Sequence, residues 1–199
     1  MLGNAIPLVL LASTLALTGC TMEQKGSSGN EDVKIETPLG GLKVKTNEAV
    51  VAAETGLPVY PGATVVKKDK DNGAADIDMS FGSFHLRVKA VSYRTPDAPD
   101  KVMAFYRKGL ARFGDVIECR DNRPVGTPSK TSEGLTCDHD EKSHVTISNA
   151  PEHADVELKA GGKVHQHIVS IEQESGGTKF GLVALDLPRD EPKEGKESN

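Results

Sequence analysis

The sequence predicts an α+β fold: a largely antiparallel β-sheet with one main amphipathic helix packed on one face. Three observations lead there. Apolar and charged residues alternate with a period of two in several segments, as in Val33-Lys34-Ile35-Glu36 and Ile77-Asp78-Met79-Ser80. Short runs rich in Gly and Pro separate those segments. A single stretch, from about Ala98 to Phe113, repeats its apolar residues at helical spacing. A chain of 199 residues suits one domain with flanking segments. Aromatic residues are few and Trp is absent, so the core must be built from Val, Leu, Ile and a few Phe. The net charge of −5 and the lack of a basic cluster point away from nucleic acid, whose phosphates reward grouped Lys and Arg. Lys67, Lys68 and Lys70 alternate with Asp69 and Asp71, as in a solvated turn.

Residues 1–19 read as an export signal. The apolar stretch Ile6 to Leu17 is roughly 12 residues long, too short for the roughly 20 that a spanning helix needs. It runs into Leu17-Thr18-Gly19-Cys20. That tetrad resembles the lipobox of bacterial lipoproteins, with Leu at −3, small residues beside the cut and Cys at +1. The resemblance implies cleavage before Cys20, a diacylglyceryl thioether on its sulfur and an acylated new amine. Two or more acyl chains then hold a protein to a membrane almost permanently. One departure is the n-region, which carries no Lys or Arg. The competing reading is a buried apolar helix ending at Gly19. Thr21 rather than Asp follows Cys20, and by resemblance to proteobacterial sorting this implies the outer membrane, facing the periplasm. Residues 20–31 are expected to be the lipidated Cys and a flexible tether, since Gly, Ser and polar side chains bury little surface.

The folded region is expected to be a single domain over 32–187. Val33 and Ile35, then Leu42 and Val44, flank Pro38-Leu39-Gly40-Gly41 and predict a hairpin. Two prolines and a glycine within Leu57 to Ala63 exclude a helix there, and a short strand is expected from Ala63 to Lys67. The clearest hairpin joins Ile77, Met79 and Phe81 to Phe84, Leu86, Val88 and Ala90 through Gly82-Ser83, with one apolar and one wet face. In the helix, Val102, Phe105, Tyr106, Leu110 and Phe113 form the stripe, Asp97 is the expected N-cap and Gly114 the C-terminal stop. Gly109 inside it implies close packing on the sheet. Further strands are expected at Asp115–Cys119, Leu135–Cys137, Val145–Asn149, Val156–Ala160, His165–Gln173 and Lys179–Leu187. Residues 188–199 form a polar tail expected to fray.

Two segments together resemble a pattern of bacterial envelope proteins: Pro58-Val59-Tyr60-Pro61-Gly62-Ala63, and the helix carrying Phe105-Tyr106 and ending in Leu110. The resemblance covers about a third of the chain. It implies a tight turn before two strands with the helix packed across them, and it brings no activity or site residues.

Assigning Cys20 to lipid leaves Cys119 and Cys137 as one pair in an oxidising compartment. A disulfide there closes a loop of roughly 19 residues and adds about 3 kcal/mol. Two free buried thiols and a redox pair are the competing readings, the latter lacking a C-x-x-C spacing. His165 and His167, two apart on a predicted strand, share a face and are the candidate metal ligands, with Asp138, His139, Asp140 and His144 as further donors from a loop. Polar pairs on a surface strand are the plain alternative. His85 alternates outward with Arg87 and Lys89, and Asp76 and Asp78 are expected on the wet face of their hairpin. The chain shows no nucleophile elbow, no H-E-x-x-H helix and no phosphate loop ahead of a helix. The expectation is therefore a non-catalytic binding or assembly module that takes no cofactor. Its partners are the membrane, through the lipid, and an envelope protein, not nucleic acid. A metal- or small-ligand-binding protein using His165 and His167 is the alternative.

Overall fold

The structure, a computed structural model, describes residues 21–27, 30–66, 73–137 and 155–189. Among them, eleven strands form one sheet in the order β1-β2-β3-β5-β6-β11-β10-β9-β7-β8, with β4 added beside β6 and every pair antiparallel. The strands are β1 (Thr21–Ser27), β2 (Asn30–Thr37), β3 (Gly40–Lys45), β4 (Thr64–Val65), β5 (Ala74–Phe81) and β6 (Phe84–Thr95). They continue with β7 (Val116–Arg120), β8 (Arg123–Val125), β9 (Val156–Gly161), β10 (His165–Glu174) and β11 (Gly177–Asp186). The helices are α1 (Glu48–Glu54) and α2 (Pro99–Leu110), the latter continued by a 3₁₀ turn at Ala111–Phe113.

The alternation sorts the strands as the sequence predicts. Ile77 pairs with Val88 and Met79 with Leu86, while Val44 and Leu42 on β3 extend the same apolar face. The opposite face changes character across the sheet. Over β6, β11, β10 and β9 it presents Tyr93, Phe180, Ile171 and Val156, with Val91, Leu182, Val169 and Leu158 in the next row. These join Val51 and Ala52 of α1 and Val102, Tyr106 and Leu110 of α2 in the main core. Burial of such side chains contributes about 1.5–3 kcal/mol each, so this cluster is what fixes the helices to the sheet. Over β5, β3 and β2 the same face is charged, running through Asp78, Lys43 and Lys34. A smaller cluster of Ile117, Cys119, Leu135 and Cys137 lies apart from the main core.

Several expectations need correction. Thr21–Ser27 is a strand paired with β2, where composition predicts a loose tether; an edge strand can be held by backbone hydrogen bonds without apolar side chains of its own. A second helix, α1, accompanies the expected one. It is capped by Asn47, whose Oδ1 accepts from the Val50 amide at 3.2 Å, and its seven residues are too few for periodicity to betray it. Ala98 rather than Asp97 is the N-cap of α2, with no side-chain capping bond, because Asp97 has other partners. Gly109 lies against Pro58, not the sheet: a Cβ there would stand 3.3 Å from Pro58 Cδ. Leu135–Cys137 is not a strand; only Gly134 bridges to Gly162. β8 occupies a segment expected to be loop. The expected strand at 145–149 and the tail from residue 190 lie outside the described residues.

Cys119 and Cys137 are joined, with Cα atoms 5.5 Å apart, and both are buried. The link ties the Thr131–Cys137 segment to β7, and Thr131 Oγ1 donates to the carbonyl of Gly161 at the end of the neighbouring β9 at 2.7 Å. Replacing both cysteines with Ser should lower the unfolding free energy by about 3 kcal/mol. Urea denaturation measures this, and an unchanged midpoint would show that the link closes no costly loop.

Candidate functional site

A concavity that combines charged and aromatic side chains lies where the Tyr60 turn meets α2. Tyr60, Pro61, Gly62 and Ala63 make a tight turn, closed by the Ala63 amide donating to the Tyr60 carbonyl at 3.1 Å. Pro61 suits its second position, and Gly62 takes φ +75° at the third, which a side chain would resist. The turn drives the Tyr60 ring inward. It sits edge-on to Phe105 at 5.1 Å and to Phe180 at 6.0 Å, while its hydroxyl reaches the surface.

That hydroxyl donates to Asp97 Oδ2 at 2.9 Å, and Lys101 Nζ donates to Asp97 Oδ1 at 2.8 Å. Lys101 and then the Tyr60 hydroxyl hold the Asp97 carboxyl below the usual carboxylate range. Asp97 in turn raises Lys101, and burial, seconded by Asp97, raises the Tyr60 phenol. The result is a cleft of about 330 Å³ lined by Tyr60, Pro61, Asp97, Lys101, Ala104, Phe105 and Lys108. On α2 the residues 101, 104, 105 and 108 fall on one stripe, so small Ala104 and the Phe105 ring form a floor between two ammonium groups. Asp97 balances Lys101. The chemistry suits a ligand that offers an anionic group beside an apolar one.

His165 and His167 do share a face of β10, the one that carries the main core. They do not act alike. His165 is exposed and its Nδ1 lies 2.7 Å from Asp186 Oδ1. His167 is half-buried, stacked on Phe113 with ring centroids 3.5 Å apart. Burial lowers its pKa, against a smaller opposing effect from the backbone of Thr55 and from Asp186. Among the described residues, no three His, Cys, Asp or Glu side chains gather as a metal would need. Asp138, His139, Asp140 and His144, like Cys20, lie outside the described residues.

His85 is exposed as expected, 3.6 Å from Asp78. Asp78 is bound by Arg87 through Nε at 3.2 Å and Nη2 at 2.8 Å; burial pushes its pKa up, and this pair outweighs that effect and leaves it lowered. Asp76, expected on the wet face, is buried instead. It lies with Lys45 at 3.6 Å, in a group where Lys89 binds Glu54 of α1 at 2.6 Å. Burial raises the Asp76 pKa despite Lys89. The missing signal was α1 itself: without that helix, the Asp76 face of β5 looks open. Sequence reasoning also missed Lys101 and Lys108, whose spacing of seven on a helix with Ala104 and Phe105 between them was a usable cue.

Two outcomes follow. In Lys101→Ala the Asp97 carboxyl should titrate closer to its ordinary value, seen by NMR as an upward move of its midpoint; an unmoved midpoint contradicts the pairing. For His167 the folded state disfavours the cation, so its contribution to stability is intact above the ordinary pKa of 6.5. It should be lost progressively as pH falls from there toward the lower folded value. Urea unfolding between about pH 7 and pH 5 should show that slope, and His167→Phe should flatten it.

Comparison of the chain with protein-family models, with curated proteins and with solved structures finds no match.

Proposed function

We propose that the chain is a lipid-anchored protein of the bacterial cell envelope, held in the outer membrane through Cys20 and serving as a non-catalytic binding or assembly module. The observation that carries the reading is the pairing of Cys119 with Cys137. Three cysteines are odd for an exported protein; lipid on one and a bond between the others accounts for all of them. The lipobox-like Leu17-Thr18-Gly19-Cys20 supplies the anchor, and Thr21 favours delivery to the outer membrane.

The cleft beside Tyr60 is the proposed binding surface. Its rigid parts are the turn and α2, both fixed by the main core, so the two ammonium groups keep their spacing when a partner arrives. Among the described residues Lys108 has no acidic partner, and it is the cation most available to an incoming carboxylate or phosphate.

Intact-mass measurement of the chain from envelope membranes tests the address. The expected species begins at Cys20 and carries acyl chains, and an unprocessed chain or a free Cys20 thiol rejects it. A photo-crosslinking residue in place of Ala104 tests the cleft in living cells. It should yield a discrete protein adduct that weakens on Lys108→Glu, and cross-links no different from those of a residue on β8 reject the cleft as a binding surface.

A further inference from the structure

We infer that the end of the sheet built by the β2–β3 and β5–β6 hairpin tips dips into the lipid surface that holds the chain's own anchor, with Leu39, Phe81 and Phe84 as the inserted side chains. The inference rests on the lipid-anchor reading of Cys20 and adds to it an orientation and a second membrane contact.

Three observations converge on this end of the sheet. First, Leu39, Phe81 and Phe84 are exposed, Leu39 at 82%. They belong to two turns that are held side by side: Thr37 pairs with Gly40, Gly40 with Phe81, and Phe81 with Phe84. The Gly82 amide donates to the Leu39 carbonyl at 3.3 Å, bridging the tips. A Cβ on Gly40 would stand 2.0 Å from the Ser80 carbonyl oxygen, so the tips approach as closely as they do only because that residue is glycine. Scattered exposed apolar residues need no explanation, but a contiguous group does.

Second, the tips carry no charge. Residues 37–40 and 81–84 read Thr-Pro-Leu-Gly and Phe-Gly-Ser-Phe: Pro, Gly and Ser are ordinary turn residues, but Leu39, Phe81 and Phe84 are not. Charge returns directly behind the tips, first at Glu36 and then on a row where Asp186 pairs with Arg87, Arg87 with Asp78, and Asp78 with Lys43. A shallow cavity of about 390 Å³ lies there, between Glu36, Lys43 and Asp78. The apolar tip followed by a charged band matches the order of acyl chains and headgroups met on entering a bilayer.

Third, the anchor is attached at the same end. β1 runs antiparallel to β2 with Thr21 opposite Glu36, one residue from the β2–β3 turn. Cys20 is one peptide unit from Thr21, about 3.8 Å between Cα atoms. Because Thr21 already belongs to the sheet, little chain is left to hold the domain away from the lipid. Met22, beside it, is also exposed.

The absence of Trp makes the test clean, since a single introduced Trp is the sole such fluorophore. Full-length Phe84→Trp, Leu39→Trp and Val125→Trp chains are processed in cells, checked by intact mass, and reconstituted in phosphatidylethanolamine and phosphatidylglycerol vesicles with or without brominated acyl chains. Val125 is exposed on β8, at the other edge of the sheet. The expected result is a blue-shifted emission, quenched by the brominated lipid, for Phe84→Trp and Leu39→Trp, with solvent-like, unquenched emission for Val125→Trp. Acylated chains in which no reporter is quenched, or all three equally, overturn the inference while leaving the anchor standing. Chains without acyl groups by mass overturn the anchor reading and the inference with it.

Discussion

The backbone pairing of β1 with β2 constrains everything at the N-terminal edge of this molecule. Its register sets Thr21 against Glu36 and Gln24 against Val33, and so fixes where the chain leaves the sheet. Composition alone would free these residues, since they bury little. Yet a strand edge offers unpaired amides and carbonyls at the spacing a neighbouring strand needs, and a polar segment satisfies them as well as an apolar one. The consequence is geometric. Thr21, next to the proposed lipid attachment, and the two uncharged hairpin tips come to one end of the sheet, and the charged band lies behind them.

A second constraint operates in the centre. Tyr60, Tyr93, Phe105, Tyr106 and Phe180 meet in one aromatic cluster, with Tyr93 and Phe180 stacked at 5.5 Å. Aromatic pairs add about 0.5–1.5 kcal/mol beyond the area they bury. This cluster positions the Tyr60 turn against α2 and thereby creates the cleft: the buried ring is the anchor, and its hydroxyl, with Asp97 and Lys101, is the rim. The core and the candidate site are two ends of the same side chain.

Much of this was legible in the residues. Alternation in β5 and β6 gave the pairing almost residue by residue, because a two-residue turn leaves no freedom of register. Helix α2 was legible because twelve residues carry enough periods for a stripe to show. Cysteine counting led to the Cys119–Cys137 pair, which concerns topology rather than local pattern. What escaped were features decided by tertiary partners. Helix α1 is short and leans on β5 and β6. Asp76 looked solvated until that helix covered it, and Asp97 left its expected capping role because Tyr60 and Lys101 both reach it. His165 and His167 shared a face as alternation requires, but alternation says nothing of Phe113 or Asp186, which claim them separately.

Hydrogen exchange on the mature chain tests the central constraint most directly. If β1 is docked on β2, alternate amides in the Met22 to Gln24 stretch exchange more slowly than unstructured peptide, in step with their partners on β2. Exchange at free-peptide rates along that stretch, with β2 still protected by β3, would contradict the account and return the N-terminal residues to a loose tether.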